Sequence, residues 1–457
     1  MASPRHLPIG RGFQTSLGYF GHTNWASSQR EWRSYGKFGS ENMERGAPGA
    51  YPASGPDVDG ALVDLWDSDR PARHLNGTAH EEILFRQRIL RIIRDHNPMD
   101  QPLFLEYSSR LVHHPQQPPH NFLERFASIR GMRRRQYVAS VTFYDEQVRV
   151  ITAEMKRLGY WNDTLIIGMS DNGGPTRQEG ELSTACEVNP PNQWGHVSVN
   201  RISGMHPHRF LLPEADRQLG FSCLGSEQGA SNFPLLGGKY TDFEGGIRVR
   251  AFVSGGFVPR NVRGTVQSGL LHLADWYATL CYVSGADPAD RTAHAAGLPP
   301  IDSLNMWPLL SGASSTSPRR SVLVSNQSLL WAEEPHLWKY MAPGTYHGAT
   351  QPSPPDDHTP LSNVSSVRCP DPGCLFDVRH DPGERHDVAH SRPVVVQQLS
   401  AELRQQAAGI WRVTHPFEGA CRAFAHARWN GFLGPWLGVD DFGSTNIPFV
   451  DMSKVSK

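Results

Sequence analysis

No sign of charge dominates this chain: 44 Lys and Arg stand against 45 Asp and Glu, for a formal net charge of −1. A chain without such an excess builds no global field to recruit nucleic acid or an anionic membrane surface, so neither is expected as a partner. It also lacks any apolar run near the ~20 residues that cross a bilayer, which excludes a helical membrane span. The opening Met1-Ala2-Ser3-Pro4-Arg5-His6 has no apolar core, so no secretory leader is written there. Cysteine is sparse, with only Cys186, Cys223, Cys281, Cys369, Cys374 and Cys421. Six cysteines leave the redox compartment open, although Cys369 and Cys374 lie close enough across Pro and Gly to close one small disulfide loop. Sequons at Asn76, Asn162, Asn326 and Asn363 are a mild hint of a secretory, glycosylated history.

What is present has the rhythm of an α/β protein. Residues 1–60 are rich in Gly, Ser and Pro and read as loops, in which Trp25, Trp32, Tyr35 and Phe38 suit either a pocket lining or loop anchors. Thr78-Ala79-His80-Glu81 fits a capping box. It is followed by Ile83, Leu84, Ile89, Leu90, Ile92 and Ile93 on one helical face, in a helix that stops before Pro98. Leu103-Phe104-Leu105 reads as a strand. A second helix is expected from about Gln136, after the basic cluster Arg133-Arg134-Arg135, with Val138, Val141, Asp145, Val148, Ile151, Met155 and Leu158 along its face. Leu165 to Met169 is a second strand. Helix, strand, helix, strand implies parallel crossovers and hence a mostly parallel central sheet between helices.

Residues 175–231 break this rhythm and read as an irregular insertion, too long for an ordinary loop. Their His206-x-His208 spacing is a weak metal signal. Beyond them Ile247 to Val253 alternates like a strand, and Leu270 to Ser284 reads as a helix. A Ser- and Thr-rich boundary near 311–318 divides a larger segment, 1–314, from a smaller one, 315–457. The latter is expected to form a small antiparallel sheet from Val322-Leu323-Val324, Trp338-Lys339-Tyr340 and Leu375-Phe376-Asp377. A helix from Pro393 to about Ile410 would pack on it through Val395, Leu399, Leu403 and Ala407.

The stretch richest in chemistry is Ser170-Asp171-Asn172-Gly173. It ends the apolar run Leu165-Ile166-Ile167-Gly168-Met169, and in α/β folds the carboxyl end of a strand is where ligands bind. Adjacent carboxylate and amide oxygens there suit a hard cation such as Ca2+ or Mg2+. The same residues also suit an Asp-Asn-Gly-Gly turn. Residues 165–174 resemble the metal-binding strand end of the sulfatase family, and further stretches resemble it in family order. These are Leu7-Pro8-Ile9-Gly10-Arg11-Gly12-Phe13 with Gly18-Tyr19, and Pro102-Leu103-Phe104-Leu105 through Val112-His113-His114-Pro115. They continue with Gly237-Gly238-Lys239, Glu244-Gly245-Gly246-Ile247-Arg248, His272-Leu273-Ala274-Asp275-Trp276, and Leu375-Phe376-Asp377-Val378 with Asp381-Pro382. The likeness is nearest to arylsulfatases of the B type.

The resemblance implies an alkaline-phosphatase-like α/β fold with a small C-terminal subdomain, and metal-dependent hydrolysis of sulfate esters, sulfated glycans among them. It implies Asp171 and Asn172 as Ca2+ ligands, His113 as the sulfate-contacting acid for the leaving oxygen, and Lys239 as a sulfate-binding cation. Arg248, Asp275 and Trp276 read as structural. Two family features have no counterpart. No cysteine sits in a Cys-x-Pro-Ser-Arg or similar motif that would become formylglycine, and the Asp-Asp pair of metal ligands is missing. By resemblance the chain is a sulfatase without its first quarter, its metal site incomplete and the chain as written inactive. The alternatives are a pseudoenzyme that binds sulfated glycans or a protein partner, and a related phosphoester hydrolase. A secretory, lysosomal or extracellular location would follow if a signal peptide preceded Met1.

Overall fold

Strand alternation, helix amphipathicity and a few buried charges account for the two compact units of this protein. The computed structural model describes residues 3–21, 24–27, 30–31, 63–113, 116–129, 131–175, 229–239, 241–347, 367–410 and 428–435. Trp32, Tyr35, Phe38, His114, His206, His208, Asn363, Cys186, Cys223, Cys421 and nearly all of the expected insertion lie outside them. One unit comprises residues 1–159, 208–224 and 412–457, the other 160–207 and 225–411. Among the described residues no helix is long and apolar enough to cross a membrane.

In the first unit, β1 (Leu17–Gly18), β2 (Trp66–Asp67) and β3 (Arg70–Pro71) form a small antiparallel sheet. Leu65, Ala72, Leu84 and Phe85 build a buried cluster beside it, with Tyr19 and Tyr107 packed on its border. Helix α1 (Glu81–Asp95) supplies Leu84, Phe85, Ile89 and Ile93 to the interior at helical spacing and stops three residues before Pro98. Its start differs from the expected capping box. His80 is the N-cap, its Nδ1 accepting from the Glu82 amide at 3.2 Å. Thr78 Oγ1 instead donates to the Leu75 carbonyl, and Glu81 is buried against Arg110 and cannot turn back as a box would require. Burial, reinforced by the Arg110 charge, lowers the His80 imidazole to about 4, which leaves its ring nitrogen able to accept. The second long helix runs from Met132 to Arg157, about one turn earlier than expected (α3, after the short α2, His120–Glu124). Arg135, of the basic cluster, folds back onto the Ile129 and Ala127 carbonyls at the start of this helix.

In the second unit, β4 (Ile166–Met169) pairs antiparallel with β5 (Ala251–Ser254), placing Ile167 opposite Val253. The four-residue α4 (Glu244–Ile247) precedes β5 and claims Ile247, the first residue of the strand expected over 247–253, so that the strand begins only at Ala251. Helix α5 (Asp275–Ser284) starts at Asp275, later than expected. The smaller sheet contains the three expected strands and one more, β7: β6 (Ser321–Ser325), β7 (Ser328–Glu333), β8 (His336–Met341) and β9 (Cys374–Asp377) run antiparallel in the order β9-β8-β7-β6. Leu329, Trp338, Tyr340 and Leu375 face α6 (Pro393–Ala407), which inserts Val396, Leu399 and Leu403. The alternate residues Leu330, Met341 and Phe376 face Leu236 and Phe243. Cys369 and Cys374 are joined by a disulfide, whereas Cys281 is a free thiol.

The mostly parallel central sheet is not what the described strands build. Their ladders are all antiparallel, and the one parallel pairing is the isolated bridge between Val63 and Phe432. The parallel reading required Leu103-Phe104-Leu105 to join a sheet. That segment takes no ladder, and Leu103 and Phe104 are exposed. Met169 and Phe252 on β4 and β5 are exposed as well.

Strand alternation also turns Lys339 of β8 into the interior. Its Nζ lies 2.7 Å from Glu384 Oε1 and 3.2 Å from Glu244 Oε1, with the lysine fully buried. Glu384 Oε2 further accepts from the Glu244 amide at 2.7 Å. Burial pushes the Glu384 carboxyl from an ordinary 4.5 up to about 7, against the lowering pull of Lys339. The folded protein therefore holds a proton there that the unfolded chain has lost, so this stabilising contribution is complete below about pH 4.5 and disappears as pH rises through 7. Denaturant unfolding of the wild type and Glu384→Gln across pH 4.5 to 8 should show the wild type losing about 3 kcal/mol relative to the variant. A pH-independent difference would refute the assignment.

Candidate functional site

Strand β4 delivers Ser170, Asp171 and Asn172 at its carboxyl end, as its sequence suggested, and local hydrogen bonds set their orientation. Ser170 is tied to the neighbouring strand by its amide, which donates to the Arg250 carbonyl at 3.1 Å. Its Oγ donates to the Asn172 carbonyl at 2.8 Å. Asp171 Oδ1 accepts from the Asn172 amide at 2.8 Å, and Asn172 Nδ2 donates to the Gly173 carbonyl at the same distance. The Asn172 side chain thus keeps its oxygen as the remaining acceptor, beside an exposed carboxylate.

The loop carrying Lys239 is fastened to this strand end through backbone. The Lys239 amide donates to the Gly174 carbonyl at 3.1 Å, and the Gly173 amide to Gly246 at 2.8 Å. Asn232 closes the junction: its Oδ1 accepts from the Gly174 amide at 3.1 Å, while its Nδ2 reaches the Gly174 and Gly237 carbonyls at 2.9 and 3.1 Å. The Gly245 amide donates to Leu236 at 2.7 Å. Only glycine permits these approaches. A β-carbon on Gly173 would stand 1.7 Å from the Gly245 carbonyl oxygen, and one on Gly245 would stand 2.3 Å from the carbonyl oxygens of Leu236 and Gly237. The Gly-Gly pairs in Asn172-Gly173-Gly174, Gly237-Gly238-Lys239 and Glu244-Gly245-Gly246 therefore form one main-chain frame. Asp242, three residues past Lys239, secures the loop to the β6–β7 hairpin by accepting from Ser325 Oγ at 2.7 Å and from Ser328 Oγ.

Asp171, Asn172 and Lys239 thus share a frame in the second unit. His113 belongs to the first. There its amide donates to the Arg110 carbonyl at 2.7 Å, in a turn held by the buried pair of Arg110 with Glu81. Glu82 accepts from Tyr107 Oη and, at 2.8 Å, from Ser109 Oγ, which fixes the approach to that turn. Burial raises both Glu81 and Glu82 above the usual carboxylate range; Arg110 opposes this at Glu81, and Tyr107 and Ser109 oppose it at Glu82. Arg248 stays structural, 3.5 Å from Glu244 and reaching the Val378 carbonyl. Asp275 is likewise structural. It is fully buried, accepts from the His272 and Leu304 amides, and meets Arg319 through both carboxylate oxygens.

Carboxylate and amide oxygens at residues 171 and 172 are the hard donors that Ca2+ takes, so their type fits. Two side chains do not fill a shell of six to eight, so these residues fit as part of a site and not as a whole one. Sequence reasoning passed over Asn232, Glu244 and the Glu81–Arg110 pair. Glu244 lay within a quoted motif, but nothing local signals that a lone Asn after an irregular stretch will bridge two glycine segments.

The family model described as Sulfatase matches residues 10–286. The chain is 26% identical over 418 residues to arylsulfatase J of Mus musculus, covering 84% of this chain and 58% of that protein. It is 27% identical over 317 residues to arylsulfatase A of Homo sapiens, covering 67% and 49% respectively. Against N-acetylgalactosamine-6-sulfatase of Mus musculus the identity is 25% over 340 residues, covering 72% and 52%. The chain spans roughly half to three-fifths of the length of these relatives. The crystal structure of Ps i-CgsB matches with a TM-score of 0.58 at 19% identity, covering 92% of this chain and 72% of that one, which is a likeness of fold.

Because the glycine frame tolerates no β-carbon, Gly173→Ala should lower stability by about 1–3 kcal/mol or more. Gly18→Ala, where a β-carbon meets nothing within 4 Å, should stay within about 0.5 kcal/mol. Urea midpoints of the two variants check this, and equal midpoints would contradict the packing argument.

Proposed function

The chain belongs to the sulfatase family, and from that premise we propose that it carries the sulfate- and metal-binding side of a sulfuric ester hydrolase of the arylsulfatase type. The observation that carries the reading is the glycine frame, which holds Asp171 and Asn172 on the same main-chain scaffold as Lys239. A divalent cation at the carboxylate and amide would offset sulfate charge. An ammonium beside Gly237 and Gly238 meets little side-chain bulk and can approach a sulfate oxygen closely. His113, with an imidazole that ordinarily titrates near neutrality, serves in this reading as proton donor to the leaving oxygen. Sulfated sugars are a fitting substrate class, since one relative is named for N-acetylgalactosamine-6-sulfate. A secretory or lysosomal setting fits the sequons, of which Asn162 and Asn326 are exposed.

None of the six cysteines stands in a formylglycine motif. Without a nucleophile the residues present can bind and orient a sulfate ester and hold a proton, but they do not open the S–O bond. We therefore assign binding without turnover to this chain as written.

Calorimetry with an aryl sulfate and the matching aryl phosphate, in the presence of Ca2+, tests both parts. The sulfate should bind, weakened about tenfold in Lys239→Ala, which corresponds to one lost charge-assisted hydrogen bond of about 1.5 kcal/mol. No aryl alcohol should be released. Preference for the phosphate would favour the phosphoester hydrolase, and release abolished by Lys239→Ala would overturn the inactivity.

A further inference from the structure

Away from the glycine frame, three potential ligands converge at the end of the smaller sheet. His336 opens β8, Asp377 closes β9, and His380 follows in the turn. The register brings Asp377 beside this end of β8, opposite Trp338. The Asp377 carbonyl accepts from the His380 and Asp381 amides at 3.1 and 2.7 Å, which curls the turn back over the carboxylate. Nδ1 of His336 lies 2.6 Å from Asp377 Oδ2, and Nδ1 of His380 lies 2.7 Å from the same oxygen. The three ligand atoms all fall within 4.8 Å of one another.

We propose that His336, Asp377 and His380 form a binding site for a divalent transition-metal ion, with Zn2+ the best fit. Two imidazole nitrogens and one carboxylate oxygen are a borderline donor set that suits zinc and not calcium. With Zn–N and Zn–O bonds near 2.0–2.1 Å, tetrahedral ligands sit about 3.3 Å apart. The present nitrogen–oxygen contacts of 2.6 and 2.7 Å need to widen by about 0.6 Å, and the two imidazole nitrogens, within 4.8 Å of each other, need to reach the same spacing by rotation of partly exposed rings.

The surroundings already hold the ligands in place. Asp377 Oδ1 accepts from the Leu337 and Arg379 amides at 3.2 and 3.3 Å, leaving Oδ2 to face the histidines. This is the outer-shell support that fixes a ligating carboxylate. The His336 ring stacks on Trp338 with centroids 4.6 Å apart, and Trp338 is itself held by Glu333. Arg379, the nearest cation in sequence, pairs through both terminal nitrogens with Glu334 at 2.9 Å. Side-chain exposures of 37% for His336 and 59% for His380, against 16% for Asp377, leave solvent a path to the fourth position. Binding would exchange the protons shared between the imidazoles and the carboxylate for one metal ion, stapling the start of β8 to the turn after β9.

The test is competition between the full chain and a chromophoric chelator for Zn2+, with Co2+ absorption as a second readout. The expected result is one tightly held Zn2+ per chain, weakened tenfold or more in both His380→Ala and His380→Gln, and Co2+ bands of a tetrahedral N/O field that vanish in those variants. Excess Ca2+ should leave the Zn2+ affinity unchanged. Circular dichroism establishes that the variants are folded; His380 is exposed enough for both to remain so. Zinc binding that neither variant weakens would place the ion on other histidines and overturn the proposal. Absence of stoichiometric binding by the folded wild type would overturn it equally.

Discussion

Main chain packed on main chain is the constraint from which the candidate site follows. Where Gly173 meets Gly245 and Gly246, and Gly245 meets Leu236 and Gly237, carbonyl oxygens occupy the space that any β-carbon would need. Such contact brings the strand end at 172–174 within hydrogen-bond range of the two glycine pairs at 237–238 and 245–246, and it leaves the chemistry to the residues that flank each pair. Asp171 and Asn172 precede the first pair and Lys239 follows the second. Placing function at the ends of a side-chain-free junction keeps the functional groups close and their supports rigid, since no rotamer lies between them.

Buried charge holds this junction against the small sheet. Glu244, which opens the segment bearing Gly245 and Gly246, meets Lys339 of β8, and Lys339 meets Glu384 beyond β9. Such clusters rarely add net stability, because desolvating each ion costs several kcal/mol, but breaking one leaves a charge with no compensation. Their value lies in orientation. An apolar contact at this point would tolerate slippage of the glycine segment along the sheet face, whereas Lys339 accepts only the arrangement that satisfies both carboxylates. Arg319 clamps Asp275 in the same way at the start of α5, and Arg110 clamps Glu81 at the turn bearing His113.

Periodicity found the small sheet and α1 but not the inner face of α3, where Ala139, Phe143 and Gln147 are buried and Val141 is exposed. Alternation along 322–324, 338–340 and 375–377 predicted three of the four strands of the small sheet, and the i, i+4, i+8 run Val395, Leu399, Leu403 predicted its helix, although Val396 is the more deeply buried neighbour. Helix α1 ended where Pro98 required. The sequence failed where long-range partners decide. Leu103-Phe104-Leu105 has strand composition, yet composition does not supply a neighbouring edge. Thr78 to Glu81 has the spacing of a capping box, yet Arg110, 29 residues beyond Glu81, claims the glutamate first. At the site, the residue types at 171, 172 and 239 were legible as chemistry. Their common frame was not, because glycine pairs announce close approach without saying to what.

The two places where this chain offers ligands to a cation differ in the property that governs selectivity. At Asp171 and Asn172 the donors are carboxylate and amide oxygens, which favour a weakly polarising ion with a large, flexible shell and leave most of that shell to other ligands. At His336, Asp377 and His380 two nitrogens join one oxygen, a set that favours a small ion with directional bonds. Neither can substitute for the other: calcium gains little from imidazole, and zinc at a lone carboxylate and amide has no advantage over water. The sheet end is also built independently of the glycine frame, its geometry fixed by the β8–β9 register and the turn at Asp377. An ion there would stiffen the end of the small sheet opposite the Cys369–Cys374 link, with the buried Lys339 between the two along β8.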